Sequence, residues 1–266
     1  MAKPTPARGL RLALPGPTAL ASLGLLGLVI AAWEVLPPAL DVPRFIIPTF
    51  SQCLDELARM WAQEDLARHT GSTGFYTLLG FVIGSALGAA LGYLLGKSAF
   101  WERVLSPYIL TLQIAPKVAF APLFFMWFGF NAMPKLLVTV LIVFFPVLVN
   151  VLQAMKTVDR DLVNLARAYN LSSWGIFRKI EMPWTMPNLM AGLRIASTLA
   201  VIGVTVGEFS GGNTGLGYLI SFGSGQANAA MVFNAIILLT LIGILLYAAI
   251  VRIEARVLHY IPKAES

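Results

Sequence analysis

Long stretches with almost no charge limit what this chain can fold into more than any other feature. Six are long enough to be candidate membrane spans, at about residues 17–36, 75–95, 104–128, 136–152, 189–209 and 231–251. About 20 apolar residues cross a bilayer as a helix, because lipid offers backbone N–H and C=O groups no hydrogen-bond partners. Only 12% of the residues are charged, against about a quarter in soluble domains. The sequence therefore predicts an all-α membrane protein with about six transmembrane helices.

The first apolar stretch follows a short basic tail, which is also typical of a secretory signal peptide. Lys3, Arg8 and Arg11 precede it. A cleavable signal has a shorter apolar core and a small-residue cleavage site, whereas Pro37-Pro38 follows this stretch. We therefore interpret residues 17–36 as a retained first transmembrane helix after the tail 1–16.

Basic residues are unevenly distributed among the segments that join the spans. Lys and Arg concentrate in the N-terminal tail, at 97–103, at 156–179 and at 252–263. Segment 37–72 instead has three Arg against five Asp and Glu. Cytoplasmic loops carry the excess of Lys and Arg, so the tails 1–16 and 255–266 are predicted to be cytoplasmic. Six spans place both termini on the same side, as this requires.

Segment 37–74 is predicted to lie on the outer side and to contain a helix. Thr49 and Gln52 have the spacing of a capping box. The apolar residues that follow repeat at helical spacing, namely Leu54, Leu57, Ala58 and Trp61. We expect an amphipathic helix on the outer membrane surface, joined to the second span by a linker at 71–74.

Glycine recurs at every fourth position along the second span. The series is Gly80, Gly84, Gly88, Gly92 and Gly96. Glycines at this spacing leave a groove on one helix face, which allows another backbone to approach closely. The sequence therefore predicts a helix-packing face, without indicating which helix fills it.

The end of this glycine series resembles a nucleotide-binding loop. In "GYLLGKS", residues 92–98, only three residues separate the glycines and Leu91 stands where the first Gly should be. A phosphate loop needs four residues between the glycines, and it follows a buried strand rather than an apolar span. We therefore expect no ATP site on this chain.

Other site chemistry has little support in the sequence. Cys53 is the single cysteine, and His69 and His259 are far apart. These residues give neither a metal site nor a nucleophile–His–acid triad. The formal net charge is +6, but the basic residues lie between apolar spans, so no nucleic-acid partner is expected.

The segment 156–187 is too polar to span a membrane, yet it has helical periodicity. Leu162, Leu165, Ala166 and Tyr169 are spaced as an apolar stripe on a short helix. Acidic residues near the start of this helix and Arg167 near its end fit the helix dipole. Such a stripe either packs beneath its own bundle or docks into a groove on another protein, and the pattern leaves both open.

A second short helix is predicted in the same segment. Asn170 is a residue that tolerates the left-handed conformation in which helices commonly end. Ser172 or Ser173 is suited to cap a helix carrying Trp174, Phe177 and Ile180, and Pro183 is expected to end it. The segment is therefore predicted to be a helix–turn–helix.

The sequence "NLARAYNLSSWGIFRKIEMPWTMPNLMAGLRIA", residues 164–196, resembles the cytoplasmic coupling signature of ABC importer permeases. That signature is Glu-Ala-Ala, three residues, Gly, nine residues and Ile-x-Leu-Pro. Asn164, Leu165 and Ala166 stand at the Glu-Ala-Ala positions and Asn170 at the Gly, followed by Ile180, Met182 and Pro183. The spacing matches, but Asn164 replaces the Glu and removes a charge available for pairing with an ATPase.

The resemblance extends over nearly the whole chain. Residues 106–130 and 206–220 are similar to permeases for nitrate, sulfonates, taurine, riboflavin and pyrimidine vitamin precursors. It implies a type I ABC importer bundle at 75–254 in a bacterial inner membrane. It also implies the partners of such a permease: a cytoplasmic ABC ATPase dimer that binds ATP and Mg²⁺, a second and most simply identical permease chain, and an extracytoplasmic substrate-binding protein.

The helical pattern of segment 156–187 and this resemblance together predict the residues that couple to the ATPase. They are Leu162, Asn164, Leu165, Ala166, Arg167, Tyr169, Asn170, Phe177, Ile180 and Pro183.

Ionisable residues inside spans are costly, and they mark solute paths or buried pairs. Lys117 lies midway along the third span with Gln113 near it, and Glu208 lies near the outer end of the fifth. We predict that Gln113, Lys117 and Glu208 line the translocation pathway. A structural ion pair between Lys117 and Glu208 is the alternative. Glu34, at the outer end of the first span, is expected to reach the membrane interface.

The sequence thus favours a permease subunit that imports a small polar or anionic solute at the expense of ATP. An ion-coupled secondary transporter is the main alternative, but it would place acids or unwound helices near the midplane of two internal repeats, and no repeat is visible. A membrane-embedded enzyme would need converging nucleophile, base or metal ligands.

Overall fold

The computed structural model describes residues 17–260, so the predicted tail 1–16 and residues 261–266 lie outside the described part. No strand occurs in the part that is described. The α-helices are α1 (Pro17–Ala39), α2 (Phe50–Gln63), α3 (Leu66–Gly96), α4 (Ala99–Ile114), α5 (Ala121–Phe128), α6 (Ala132–Lys156), α7 (Arg160–Ala168), α8 (Ser173–Ile176), α9 (Met182–Gly211), α10 (Leu216–Gly225) and α11 (Ala229–Val257). A 3₁₀ turn, Lys117–Phe120, precedes α5, and a π-helical turn, Phe177–Glu181, precedes α9. The predicted all-α class is confirmed.

Three long helices, α3, α6 and α9, form the centre of the bundle. Their apolar core includes Phe81 of α3, Val147 and Val151 of α6, and Ala196 and Ala200 of α9. Segment 156–187 lies at one end of this bundle, which we call the coupling end. The opposite end, where α3 and α6 begin and α9 stops, is the distal end.

Helix α6 fills the glycine groove of α3. A Cβ added to Gly84, Gly88 or Gly92 would lie 2.5–2.8 Å from a carbonyl oxygen of α6, a distance that real Cβ atoms do not show. Gly80 and Gly96 meet the side chains of Thr139 and Met155 in the same way. The four-residue glycine spacing thus allows the two backbones to come into contact at three successive glycines, Gly84, Gly88 and Gly92. Gly203 and Gly207 of α9 approach α6 as closely.

The third predicted span is not one straight helix. Helix α4 ends at Ile114, and the segment Lys117–Phe128 leaves it at a bend of 82°. Ala115, which precedes Pro116, is extended with ψ 137, as the proline ring requires of its neighbour. Within residues 17–260, five helices are long and apolar enough to cross a membrane, and the bent pair makes a sixth candidate.

Two other predicted boundaries were wrong. Helix α3 begins at Leu66, so residues 71–74 are helical rather than a linker. Helix α9 begins at Met182 and contains Pro183, so Pro183 does not end a helix. Proline is tolerated in a first helical turn, where its missing N–H is not needed.

Helix α2 has the predicted capping box, because Gln52 N–H donates to Thr49 Oγ1 and Thr49 N–H donates to Gln52 Oε1. Its packed face differs from the prediction. Leu54 and Trp61 are exposed, while Cys53, Glu56 and Met60 are buried. This face packs against α11 and its N-cap: Asn234 of α11 donates to the carbonyl of Cys53, and Asn228, the N-cap of α11, donates to Glu56. Met60 lies in an apolar cluster with Leu216 and Met231.

Helix α1 makes few contacts with the other helices, and those described below lie near its C-terminal end. Trp33 Nε1 donates to the Pro48 carbonyl, and Glu34 accepts from the N–H and hydroxyl of Ser51 at 2.9 and 2.7 Å. Glu34 therefore binds the first turn of α2, where the helix dipole favours an anion. Pro37 and Pro38 lie inside α1, in its last turn, so the helix runs three residues beyond the predicted end.

Candidate functional site

The distal end is held by a buried carboxylate. Glu208 of α9 has no exposed surface, and its Oε1 lies 3.3 Å from Nζ of Lys135 on α6. Its Oε2 accepts from the hydroxyl of Thr73 on α3 at 2.8 Å and from the N–H of Gly217 on α10 at 3.1 Å. One carboxylate therefore joins four helices.

Lys135 and Thr73 extend this distal cluster. Lys135 Nζ donates to Ser72 Oγ at 3.0 Å and lies 4.3 Å from the centre of the Tyr76 ring. Thr73 Oγ1 also accepts from the N–H of Leu216 at 2.8 Å. The ammonium and the carboxylate are thus both paired and hydrogen-bonded, which a buried ion pair needs to offset its desolvation.

The loop before α10 fits closely around this carboxylate. Gly215 has φ +115, and a Cβ there would lie 2.0 Å from the carboxyl group of Glu208. Its N–H donates to Nδ1 of His69 at 2.9 Å, and the His69 ring stacks on Tyr218. Residues 211–217 are therefore packed onto the distal cluster.

The predicted pathway residues are not brought together. Lys117 does not pair with Glu208, whose partner is Lys135. Its Nζ instead donates to the backbone carbonyl of Gln113 at 2.6 Å and lies over the Phe145 ring. Lys117 thus satisfies a carbonyl that the end of α4 leaves without an intrahelical partner. Gln113 is exposed beside it at the bend, and the pathway role of these residues stays a prediction.

Lys135 is the residue that sequence reasoning missed. It stands one position before the predicted fourth span and was not counted among the ionisable residues of the spans. The signal was present, because a lysine directly at the start of a long apolar run needs a partner. If ionisable residues directly beside the predicted spans are considered together with those inside them, Lys135 is an alternative partner for Glu208.

The segment 156–187 folds into the predicted helix–turn–helix. Asp159 caps α7 by accepting from the N–H of Asp161, and Asn170 has φ +58, the left-handed conformation. Ser172, rather than Ser173, caps α8 by accepting from the N–H of Gly175. The π-helical turn then leads directly into α9.

The apolar stripe of α7 is exposed to solvent. Leu162, Leu165 and Tyr169 are 43%, 54% and 80% exposed. In the part of the chain that the structure describes, the stripe does not pack beneath the bundle, which was one of the two sequence interpretations. It is an unpartnered surface at the coupling end.

Glu181 attaches this segment to the bundle. It is 4% exposed and accepts from the Tyr93 hydroxyl at 2.6 Å and from Lys97 Nζ at 3.2 Å. Partial burial, which lowers the pKa of Lys97, is outweighed by its hydrogen bonds to Tyr93 and Glu181, so its pKa lies above the ordinary value. The Phe177 ring lies 5.0 Å from Tyr93. These contacts tie the π-helical turn to the end of α3.

Other predicted coupling residues lie near this attachment. The carbonyl of Pro183 accepts from the Tyr260 hydroxyl at 2.7 Å, and Ile180 is half-buried in the π-helical turn. An apolar cavity of about 510 Å³ lies between Tyr93, Trp174, Phe177 and the start of α9. The predicted coupling residues thus fall into two groups: the exposed ones on α7, and the attached ones from Phe177 to Pro183.

Comparison with protein families agrees with this architecture. Residues 80–259 match the family described as binding-protein-dependent transport system inner membrane component. The chain belongs to this family. It is an ABC importer permease, a transport subunit, and a multi-pass inner-membrane protein. The resemblance that its coupling signature indicated is confirmed.

Several permeases named for transport of a particular solute are similar to this chain. The formylaminopyrimidine transport permease ThiX of Halalkalibacterium halodurans is 39% identical over 67% of this chain and 73% of its own. The riboflavin transport permease RibX of Chloroflexus aurantiacus is 34% identical over 85% of both chains. The putative aliphatic sulfonates permease SsuC of Bacillus subtilis is 29% identical over 87% of this chain and 84% of its own.

A solved structure shares the fold. A chain of the MetNI methionine ABC transporter, in an inward facing conformation, superposes with a TM-score of 0.63. The match covers 75% of this chain and 98% of that chain at 20% sequence identity. The type I importer bundle predicted from the sequence is therefore confirmed.

Proposed function

We propose that this permease takes up energy at α7, from a cytoplasmic ABC ATPase dimer that holds ATP and Mg²⁺. The observation that carries this is the apolar stripe of Leu162, Leu165 and Tyr169, which is exposed on a short helix from which the chain continues into the π-helical turn and α9. Apolar residues at helical spacing suit docking into a groove on a partner. Membership of a binding-protein-dependent family implies both the ATPase and a substrate-binding protein.

A displacement of α7 has a direct route through the molecule. The segment continues through the π-helical turn, which Glu181 ties to α3, into α9. Helix α9 has 30 residues and is therefore roughly 45 Å long, reaching from the coupling end to Glu208. Closure of the ATPase dimer would shift this helix and move the bundle between inward-facing and outward-facing states, an exchange of two populations.

We infer that the solute passes between two identical copies of the chain. Gln113 is exposed at the bend of the third span, and polar groups facing lipid are costly. A second copy of the chain and a water-filled path between the copies would provide hydrogen-bond partners for Gln113. The coupling end then faces the cytoplasm, as the distribution of Lys and Arg predicts, together with both termini. The distal end faces the extracytoplasmic binding protein.

The substrate is proposed to be a small polar or anionic solute of the kind for which the relatives are named. These names include formylaminopyrimidine, riboflavin, aliphatic sulfonates and nitrate. Among the three relatives compared above, the formylaminopyrimidine permease has the highest identity, which favours a pyrimidine vitamin precursor. Uptake of labelled pyrimidine precursor in competition with riboflavin, taurine and nitrate tests this order.

Co-purification tests the proposed coupling. Tagged chain is expressed with the ABC ATPase proposed as its partner, and Leu165→Asp is compared with Arg178→Gln, which changes an exposed charge outside the stripe. We expect the wild type and Arg178→Gln to retain the ATPase and Leu165→Asp to lose it. If Leu165→Asp captures as much ATPase as the wild type does, α7 is not the docking surface and the proposal is wrong.

A further inference from the structure

We propose that the coupling end contains a binding site for a phosphate-bearing anion, on the face of α7 opposite to the apolar stripe. The site is a polar pocket of about 690 Å³ between α7 and the ends of α3, α4 and α6. Its size is that of small-molecule sites, about 300–1,000 Å³. This inference concerns the isolated permease and does not depend on an ATPase partner.

Charge in the wall of this pocket is unbalanced. Four cations and two carboxylates line it, a net charge of +2; they are Lys97, Lys156, Arg160 and Arg167, with Glu102 and Glu181. The two lysines are each paired, Lys97 with Glu181 and Lys156 with Glu102. Within the described residues, no carboxylate lies within 4.0 Å of Arg160 or Arg167. The excess charge therefore lies on two guanidinium groups.

Helical geometry places these arginines together. Arg160, Asn164 and Arg167 are at i, i+4 and i+7, so they share one face of α7. At about 100° per residue, the centre of this face is roughly 180° from the stripe of Leu162, Leu165 and Tyr169. The helix thus presents its apolar face outward and its basic face to the pocket. Guanidinium groups match the geometry of phosphate oxygens and bind them bidentately.

Asn164 explains why this charge is free. It stands where the coupling signature has Glu, four residues after Arg160 and three before Arg167. A carboxylate at that position would be within pairing distance of both arginines, as i, i+3 and i, i+4 pairs are. The neutral amide leaves them available to an anion from outside the chain.

The position of the pocket favours the phosphate group of a membrane lipid as the anion. Its wall includes Gly96 and Met155, near the ends of two apolar helices. Beside it, Phe100 and Trp101 are 63% and 54% exposed at the start of α4. Exposed aromatic residues are typical of the level of lipid headgroups, where arginines and lysines attract anionic lipids. A phospholipid phosphate and a free phosphate compound share the required chemistry, and the experiment separates them.

Binding to the purified, delipidated chain tests the site. Phosphatidylglycerol and phosphatidylcholine are titrated in detergent and counted by native mass spectrometry, and pyrophosphate is added in a parallel arm. The variants are Asn164→Glu, which keeps every cation, the double variant Arg160→Gln/Arg167→Gln, and Arg178→Gln as a control outside the pocket. Retention of one monodisperse peak shows that each variant is folded.

We expect wild type and Arg178→Gln to bind phosphatidylglycerol about thirtyfold more tightly than the double variant does, since each of the two arginines contributes about 1 kcal/mol toward an anionic lipid. Asn164→Glu should weaken binding by about fivefold, because it adds one negative charge that pairs with the arginines. If pyrophosphate displaces the lipid, the site belongs to a free phosphate compound. If pyrophosphate does not displace the lipid, the site belongs to the lipid. If wild type and Asn164→Glu have the same affinity for phosphatidylglycerol and the same affinity for pyrophosphate, the proposal is wrong. It is equally wrong if Asn164→Glu changes only the capture of the ATPase, which would make the pocket a protein contact.

Discussion

The two ends of this bundle satisfy their polar and apolar groups in opposite ways. At the distal end, Glu208 and Lys135 are buried, paired and hydrogen-bonded to two further helices, α3 and α10. At the coupling end, the carboxylate of Glu181 is also buried, but the preceding segment at α7 exposes Leu165 and Tyr169. The distal cluster therefore stabilises the fold, and the coupling end presents surface that the chain itself leaves unpartnered.

Removal of the distal carboxylate should have the largest effect on stability. In Glu208→Ala, Lys135 is left as a buried charge without a partner, at a cost of about 3–5 kcal/mol. Thermal unfolding in detergent measures the loss, with the exposed Asp55→Ala as control. The double variant Lys135→Met/Glu208→Leu should be more stable than Glu208→Ala. A Glu208→Ala protein as stable as the control would show that the pair is not formed.

The glycine groove gives the next largest effect. A Cβ at Gly88 would lie 2.5 Å from the carbonyl oxygen of Phe144, so Gly88→Ala must separate α3 from α6, at about 1–3 kcal/mol. Gly74→Ala in the same helix has no atom within 4 Å of the new Cβ and should be neutral or stabilising. Equal melting temperatures for the two variants would contradict close contact between α3 and α6.

The attachment at Glu181 should contribute less than the distal pair. Glu181→Ala leaves the Tyr93 hydroxyl and Lys97 without this acceptor, at about 1–2 kcal/mol, because Lys97 is partly solvated. Glu181→Gln keeps an acceptor for Tyr93 and should recover part of the loss. In the reconstituted transporter, we expect Glu181→Ala to transport less solute per ATP hydrolysed. An unchanged ratio would remove Glu181 from the transmission route.

The apolar stripe should contribute almost nothing to stability. Leu165→Ala is expected to change the free energy of unfolding by no more than about 0.5 kcal/mol, as exposed substitutions do. Leu216→Ala is the matched substitution at the distal end, where Leu216 is fully buried, and should cost about 2–5 kcal/mol. Similar losses in the two variants would mean that α7 packs against its own bundle.

Local patterns in the sequence predicted what depends on local chemistry. The capping box at Thr49, the left-handed Asn170 and the glycine series each follow from residue type and spacing. The partner of Glu208 did not follow, because Lys135 is 73 residues away in sequence and only the packing of α6 against α9 brings it close. The position of Pro183 was misread for a similar reason, since the preceding π-helical turn places it at a helix start.

The bend in the third span shows how one residue decides a boundary. Hydropathy is continuous across residues 104–128, so the apolar pattern alone favours one helix. Pro116 restricts Ala115 to the extended conformation and stops α4, and Lys117 then binds the free carbonyl of Gln113. Lys117, which the sequence predicts to line a solute path, thus has a local partner that sequence spacing does not reveal.

Thiol labelling from the two sides of the membrane tests the central claim, that α7 is the cytoplasmic docking surface and the distal cluster faces outward. Cys53→Ala provides a background without cysteine, into which Leu165→Cys or Asn213→Cys is introduced. We expect a membrane-impermeant maleimide to label Asn213→Cys in intact cells only. Leu165→Cys should be labelled in inverted vesicles only, and protected when the ATPase is bound. Labelling of Leu165→Cys from outside, or no protection by the ATPase, would contradict the account.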